Sequence, residues 1–368
     1  MDTVSASLPR GLVVTAALSW RLLVIAGAGY LVLHLVAALS TVVVPTALAV
    51  LLSALLAPVV GWLVRHRVAR GLATAIAILG GLAVLTLLLT FVIGALVSGA
   101  GELAGQLADA VGSVETWLVE GPLPLGDDVV SDLSDRLSRW LSEHQARLAS
   151  WAVTVAGGVG AVLTGAVLTL FVLVFFLRDG ERIWRFVLLA VPARYRPRTD
   201  DAGRQAFRQL GRYIRATAAV SLIDAVGIGL GLLVLGVPLA LPLSMLVFVG
   251  GFVPLIGAFL SGAVAVLVAL ASNGLLTAVL VLGVVLAVQQ LEGNVLQPLL
   301  MGRMVRLHPL AVALAIAVGV IQAGVIGALL AVPLLTTLRT MVVVLARSAA
   351  EPPGPVASGG GTTEGEAP

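Results

Sequence analysis

The chain has 368 residues, of which 59% are apolar and only 11% charged, against about 45–50% and about 25% in soluble globular domains, so it cannot cover its surface in water and needs lipid. Its net charge of +3 matters less than its placement, because the basic residues cluster beside apolar runs and give no support to nucleic-acid binding. There is no cysteine and no lysine, all 22 basic residues being arginine, which removes disulfides, zinc–thiolate sites, Schiff-base chemistry and the P-loop lysine of ATP hydrolysis.

Residues 1–97 read as three N-terminal membrane spans. Arg10 and Arg21 precede far more apolar sequence than a signal peptide holds, so the first span is expected to stay uncleaved. The run 22–64 is interrupted by Ser40, Thr41 and Pro45, which at about 20 residues per spanning helix makes two spans and a tight turn. Arg65, His66, Arg67 and Arg70 follow, then a third span over 71–97. His34, with no acid or histidine near it in sequence, reads as a packing residue more than as a proton relay.

Residues 98–150 differ in kind, with nine acids against three arginines. Leu103, Leu107, Val111, Val114 and Leu118 recur at helical steps, as do Leu133, Leu137, Leu141, Leu148 and Trp151. Gly121-Pro122-Leu123-Pro124 separates the two stripes, and Asp127 or Asp128 is placed to cap the second. These stripes pack on each other, lie on the membrane, or join copies of the chain in a homo-oligomer.

A fourth span covers 151–177. Residues 178–216 hold ten arginines and four acids. Phe207, Leu210 and Ile214 share one face there, and Arg204, Arg208, Arg212 and Arg215 another. Thr199 is expected as N-cap before Asp200 and Asp201, and anionic lipid headgroups are the expected partner of the basic face. Residues 217–346 form the expected transport core, beginning with a fifth span over 217–235. The tail 347–368, rich in Gly, Pro, Ala, Thr and Glu, is expected to be disordered.

Arginine bias sets the orientation. The Arg65–Arg70 turn and the 178–216 segment, two spans apart, both face the cytoplasm; the acidic 98–150 segment faces outward, and both termini are cytoplasmic. The setting is the bacterial cytoplasmic (inner) membrane.

Two stretches in the core, 243–272 and 309–338, are longer than one ordinary span. Each is punctuated near its middle, by Gly250, Gly251, Pro254 and Gly257 in the first and by Gly319, Gln322, Gly324 and Gly327 in the second. Each is either one kinked crossing or a re-entrant hairpin. Simple crossings would put the 292–308 loop, with Arg303 and Arg306, outside against the arginine bias, which favours hairpins. Non-helical backbone at membrane depth is tolerated only inside protein or along a wet cavity, so paired broken segments point to a substrate site. The expected fold is an all-α polytopic membrane protein of about six to eight transmembrane helices of about 20 residues each, two of the segments being re-entrant or broken hairpins.

Only two acids lie in or against the apolar sequence after residue 216, Asp224 and Glu292. Asp224 is roughly 12 Å into the fifth span at 1.5 Å per residue. A carboxylate at that depth costs on the order of 2.5–3.5 kcal/mol on insertion scales, so it faces protein or water. Such a group suits proton uptake and release; the alternative is a structural carboxylate satisfied by Ser221 or Thr217. Glu292 sits among Gln289, Gln290, Asn294 and Gln297, ended by Pro298, a hydrogen-bonding set suited to a polar solute. Arg303, Arg306 and His308 are candidate counter-charges for an anion. No His-Glu-x-x-His or Gly-x-Ser-x-Gly motif is present, and neither an enzymatic activity, a metal nor a cofactor is expected. Gly227-x-Gly229-x-Gly231 has no strand before it and reads as a small-residue packing face.

Val253-Pro254-Leu255-Ile256-Gly257-Ala258 resembles the Pro-x-Ile-Gly signature of the autoinducer-2 exporter family, the PerM-type permeases. Gln290-Leu291-Glu292-Gly293-Asn294-Val295-Leu296-Gln297-Pro298, Met301-Gly302-Arg303, Leu307-His308-Pro309-Leu310 and Gly324-Val325-Ile326-Gly327 before Ala331-Val332-Pro333-Leu334 follow in that family's order. The chain departs from it at Gly319-Val320-Ile321-Gln322-Ala323, where the amide of Gln322 stands in a normally apolar stretch. The resemblance implies secondary transport, often export of the quorum-sensing furanone, and some relatives resemble sodium/proton antiporters.

Three functions follow in order: an exporter of a small polar metabolite such as autoinducer-2, coupled to protons through Asp224 and Glu292; a sodium/proton antiporter using the same carboxylates; and a non-transporting oligomeric scaffold. For either transporter Gln289, Gln290, Asn294 and Gln322 are candidate solute contacts, and Pro254, Gly257, Gly324 and Gly327 candidate gating positions.

Overall fold

The structure is a computed structural model that describes residues 10–120, 159–253, 256–301 and 308–350, and every regular element among them is helical. In hydrocarbon each backbone N–H needs a partner inside its own segment, and a helix supplies one. Helix α1 (Arg10–Ala38) is parted from α2 (Ser40–Arg65) by the non-helical backbone of Leu39, beside the expected Ser40-Thr41 break. Trp20, Leu23 and Ile25 of α1 are each about two-thirds exposed, as suits a surface against lipid. Helix α3 (Arg70–Glu120) has 51 residues, about 75 Å at 1.5 Å per residue. Its apolar span ends near Ala95, so the acidic segment begins as a helical continuation of the third span. The helix stops at Glu120, just before Gly121-Pro122 in sequence. The second expected stripe and its Asp127 or Asp128 cap lie outside the described residues.

Among the described residues six helices are long and apolar enough to cross a membrane; this is an all-α, multi-pass membrane protein. The fourth expected span falls in the first half of α4 (Val159–Leu189), which packs Leu173 and Leu177 against Ala49 and Val60 of α2 and Ala73 and Ala77 of α3. The helix kinks at Asp179 (φ −120°, ψ 17°), and the chain turns into α5 (Arg196–Val234). Arg196 closes the end of α4 by donating to the carbonyls of Val191 (2.9 Å) and Leu189 (3.2 Å). Thr199 does not cap α5 as expected: the helix begins three residues earlier, with Pro197 in its first turn, where a missing N–H costs no hydrogen bond.

The basic segment is continuous with the fifth span in this single helix of 39 residues. Its apolar face is covered by protein, not by lipid: Leu210 and Ile214 are buried against Leu51 and Ala54 of α2 and Leu330 further on, and only Phe207 stays exposed. Trp184 of α4 clasps the start of α5. Its indole N–H donates to Asp200 Oδ1 at 2.7 Å, and its ring lies over Gly203. Gly203→Leu is expected to cost about 1–3 kcal/mol through overpacking, seen as a lower Tm, and Trp184→Ala in the same chain should recover part of that loss by making room.

The two overlong stretches are hairpins. Helix α6 (Ala240–Gly250) has 11 residues, too few to cross, and α7 (Ile256–Asn273) runs back beside it. A methyl built on Gly250 would stand 2.9 Å from the Gly257 carbonyl oxygen, whereas seven residues of straight helix would hold them about 10 Å apart. Asn273 Nδ2 donates to the Gly236 carbonyl at 3.4 Å, so the segment leaves beside the place where it entered. Helix α8 (Leu275–Leu291) then crosses back and passes into a π-helical turn, Glu292–Met301. The last helix, α9 (Pro309–Ala350), is broken at Ala323 (φ −147°, ψ 24°) and Gly324 (φ 57°, ψ −139°), the latter a conformation reserved for glycine. A methyl on Gly327 would stand 2.6 Å from the Gly319 carbonyl carbon, though eight helical residues span about 12 Å. The chain has folded back on itself there too.

Candidate functional site beside the first hairpin tip

Helix α5 is the hub, packing on α2, α6, α8, the π-helical turn and α9. Its glycines fix the register against α8. A methyl on Gly227 would come to 3.1 Å from Val288, and one on Gly231 to 2.5 Å from Val284. Four residues forward on one helix match four back on the other, so residue 292 falls one turn beyond, opposite 223–224. Gly229 similarly seats Ser244 of α6. The expected small-residue packing face is therefore also what brings the two acids together.

Asp224 is buried, and the carboxyl that bears on it, by charge and by hydrogen bonding, is that of half-buried Glu292. Asp224 Oδ1 otherwise lacks a hydrogen bond of good geometry. Glu292 Oε1 accepts from Gln297 Nε2 at 3.2 Å, a five-residue contact that the π-helical turn makes possible. The ion pairs among the described residues are Arg178–Asp179 and Arg204–Asp200; neither Asp224 nor Glu292 has an arginine partner there. Helix α6 ends at Gly250, and the C-terminal end of a helix carries partial negative charge. Next to it Gly251 rests on Ser221, one turn before Asp224. Among the described residues the surround offers the pair no positive charge.

The tip of the first hairpin packs against α5 just before this place and against the arms of the second hairpin. Phe252 packs with Leu210, Ile214 and Leu330, and Val253 with Ile316, Ala328, Ala331 and Val332 of the second hairpin. Tyr213 joins the second cluster, and its hydroxyl reaches Thr217. Tyr213, Thr217, Ser221 and Asp224 thus form one row on α5.

The other expected site residues are dispersed. Gln290 Oε1 accepts from Asn294 Nδ2 at 3.1 Å on an exposed face, and these two amides pair with each other instead of surrounding Glu292. Gln289 is half-buried. Gln322 is exposed immediately before the break at Ala323 and Gly324. His308 is exposed, and its Nδ1 accepts from the Leu310 N–H at 3.2 Å, a local bond at the start of α9. Gly257 and Gly327 make the backbone contacts of the two hairpins. Pro254, Arg303 and Arg306 lie outside the described residues. Sequence reasoning took Thr217 and Ser221 only as hydroxyls beside Asp224, took Gly251 only as helix punctuation, and missed Tyr213; the four-residue spacing 213–217–221 was the signal available for the tyrosine.

Paired broken helices around lone carboxylates, inside a multi-pass helical bundle, define a membrane transporter. The profile of the family described as AI-2E family transporter matches residues 18–347, and the chain belongs to that family. It is 45% identical over 331 residues to a provisionally named transport protein of Mycobacterium tuberculosis (strain CDC 1551 / Oshkosh), covering 90% of each chain. It is 30% identical over 316 residues to the provisionally named transport protein YrrI of Bacillus subtilis (strain 168), covering 83% of this chain and 87% of the relative. With the AI-2 transport protein TqsA of Escherichia coli (strain K12) it shares 29% over 303 residues, 80% and 83% of the two chains.

Proposed function

We propose that this chain is a secondary transporter of the bacterial inner membrane that exports a small polar metabolite in exchange for protons carried by Asp224 and Glu292. One observation carries the reading: two carboxyls from distant parts of the sequence meet beside the tip of the first hairpin, with no arginine paired to either among the described residues. Two like charges in contact in a low-dielectric surround repel strongly, and a proton or a cation bound between them relieves that repulsion. Protonation on one side and release on the other then changes the charge beside which the tip of the first hairpin packs. The arginine bias puts both termini and the 292–308 loop in the cytoplasm on this reading. The protein is a carrier and not an enzyme.

The name of the Escherichia coli relative makes autoinducer-2 the first solute to try. Efflux of autoinducer-2 from vesicles holding this chain is expected to follow an imposed pH gradient, and Asp224→Asn and Glu292→Gln are each expected to lower it by about tenfold or more, 1.4 kcal/mol per factor of ten, with loss of the pH dependence. Unchanged flux and pH dependence in either variant removes that residue from the mechanism. The two carboxyls with the Ser221 hydroxyl one turn away support a second reading, sodium/proton exchange, and sodium-driven proton flux in the same vesicles separates the two.

A further inference from the structure

Three side-chain oxygens in one row of α5 are buried without a hydrogen bond of good geometry among the described residues: Thr217 Oγ1, Ser221 Oγ and Asp224 Oδ1. Their residues are 6%, 1% and 5% exposed. A hydroxyl on a membrane helix ordinarily donates to the carbonyl four residues earlier. This chain does so at Thr46, Thr169, Ser244 and Ser261, at 2.6–2.7 Å. Thr217 and Ser221 do not, and each stands free of its own backbone on the face that carries Asp224.

Tyr213 extends the row by one turn toward the arginine-rich end of the helix, its hydroxyl within reach of Thr217. Residues four apart stand about 6 Å apart along the axis. For the short side chains of Thr217 and Ser221 that is too far for a direct bond, yet two hydrogen bonds of about 2.8 Å through a single water cover it. Buried polar atoms left over by the protein are the usual lodging of such waters. Helices α6, α7 and α8 have no ionisable side chain, and the π-helical turn contributes only Glu292. The arginine of α2, Arg65, is at that helix's end, Arg339 and Arg347 lie on the second arm of α9, and Arg212 and Arg215 are exposed on α5.

We infer that Tyr213, Thr217 and Ser221, the last two bridged to each other and to Asp224 by single waters, form a proton path along α5 between its arginine-rich end and the Asp224–Glu292 pair. A proton enters at Tyr213 and another leaves Ser221 for the pair; each hydroxyl or water takes one proton and passes one on, so only O–H bonds are exchanged. The packing of Tyr213 on Val253, Ile316 and Ala328 ties the mouth of the path to both hairpins. The inference rests on the proton-coupling role proposed for the pair.

The natural sequence has no cysteine, so single thiols report water along α5 without further changes. Silver ion is the probe, added to the full-length protein in lipid vesicles carrying Thr217→Cys, Ser221→Cys, or, on the outward face, Leu222→Cys or Val226→Cys. The thiols at 217 and 221 are expected to react at least about tenfold faster than those at 222 and 226, because a bare cation enters hydrocarbon only at a large desolvation cost. Equal rates at all four positions overturn the path. In flux measurements Thr217→Val is expected to slow proton movement and Thr217→Ser to restore it; if Thr217→Val conducts protons at the unsubstituted rate, the path is likewise overturned. The two readings fail separately. Fast silver reaction with coupling intact in Asp224→Asn keeps the water path and removes the coupling role, while protected thiols with coupling lost in Asp224→Asn do the reverse.

Discussion

Gly257→Ala is expected to cost this transporter its first hairpin. The added methyl would meet the carbonyl of Gly250, with the Gly250 Cα at 2.9 Å. Both partners are backbone, so no rotamer change relieves the contact and the arms α6 and α7 must separate. The cost belongs near the top of the overpacking range, about 3 kcal/mol. The functional loss should exceed the loss of stability, because splaying the arms lifts Gly251 from Ser221 and Val253 from Ile316 and Ala328. Thermal unfolding in detergent should show a lower Tm, and solute efflux should fall to the level of empty vesicles. Gly327→Ala makes the equivalent collision with Gly319 and is expected to behave in the same way. Gly283→Ala on α8 is the control, since nothing lies within 4 Å of its new methyl. Should Gly257→Ala match that control in both measurements, the backbone contact has no part in holding the hairpin closed.

Gly231→Leu is expected to separate Asp224 from Glu292 without touching either. Its first side-chain carbon would already stand 2.5 Å from Val284, so α8 must shift or tilt, and the next contacts along the seam are Gly227 with Val288 and then the carboxyl pair. Flux should drop by about tenfold or more and lose its pH dependence, as for removal of one carboxylate; a tenfold effect is 1.4 kcal/mol, within the overpacking range. Val284→Ala clears the space that the leucine needs, so the double variant is expected to regain flux. Rescue by a residue with no polar atoms would show that register, not local chemistry, was lost. Wild-type flux in the single variant would mean that the pair does not depend on this seam.

Much of the architecture was legible because it rests on properties that single residues carry with them. The breaks at Leu39 and at Gly250–Gly257 fall where serine, proline and glycine interrupt apolar sequence. The α5 N-terminus was misplaced because Thr199 is a good cap only if a helix begins there, and Pro197 permits an earlier start. The basic segment read as a surface helix since its period shows an apolar face, while nothing in that period says whether lipid or α2 covers it. The amides near Glu292 were grouped by nearness in sequence. In the fold the π-helical turn gives Glu292 only Gln297 and leaves Gln290 to Asn294 on an exposed face.

Residence in the membrane, helical structure and the positions of the two interruptions were determined by the sequence alone, because transfer into lipid and backbone freedom are local quantities that add along a chain. The reversal of each interrupted stretch into a hairpin, and the meeting of Asp224 with Glu292, were decided only in three dimensions. Each depends on which glycine faces which neighbour, and a helix turns its side chains by about 100° per residue, so one residue of slip between α5 and α8 would point the two carboxyls apart.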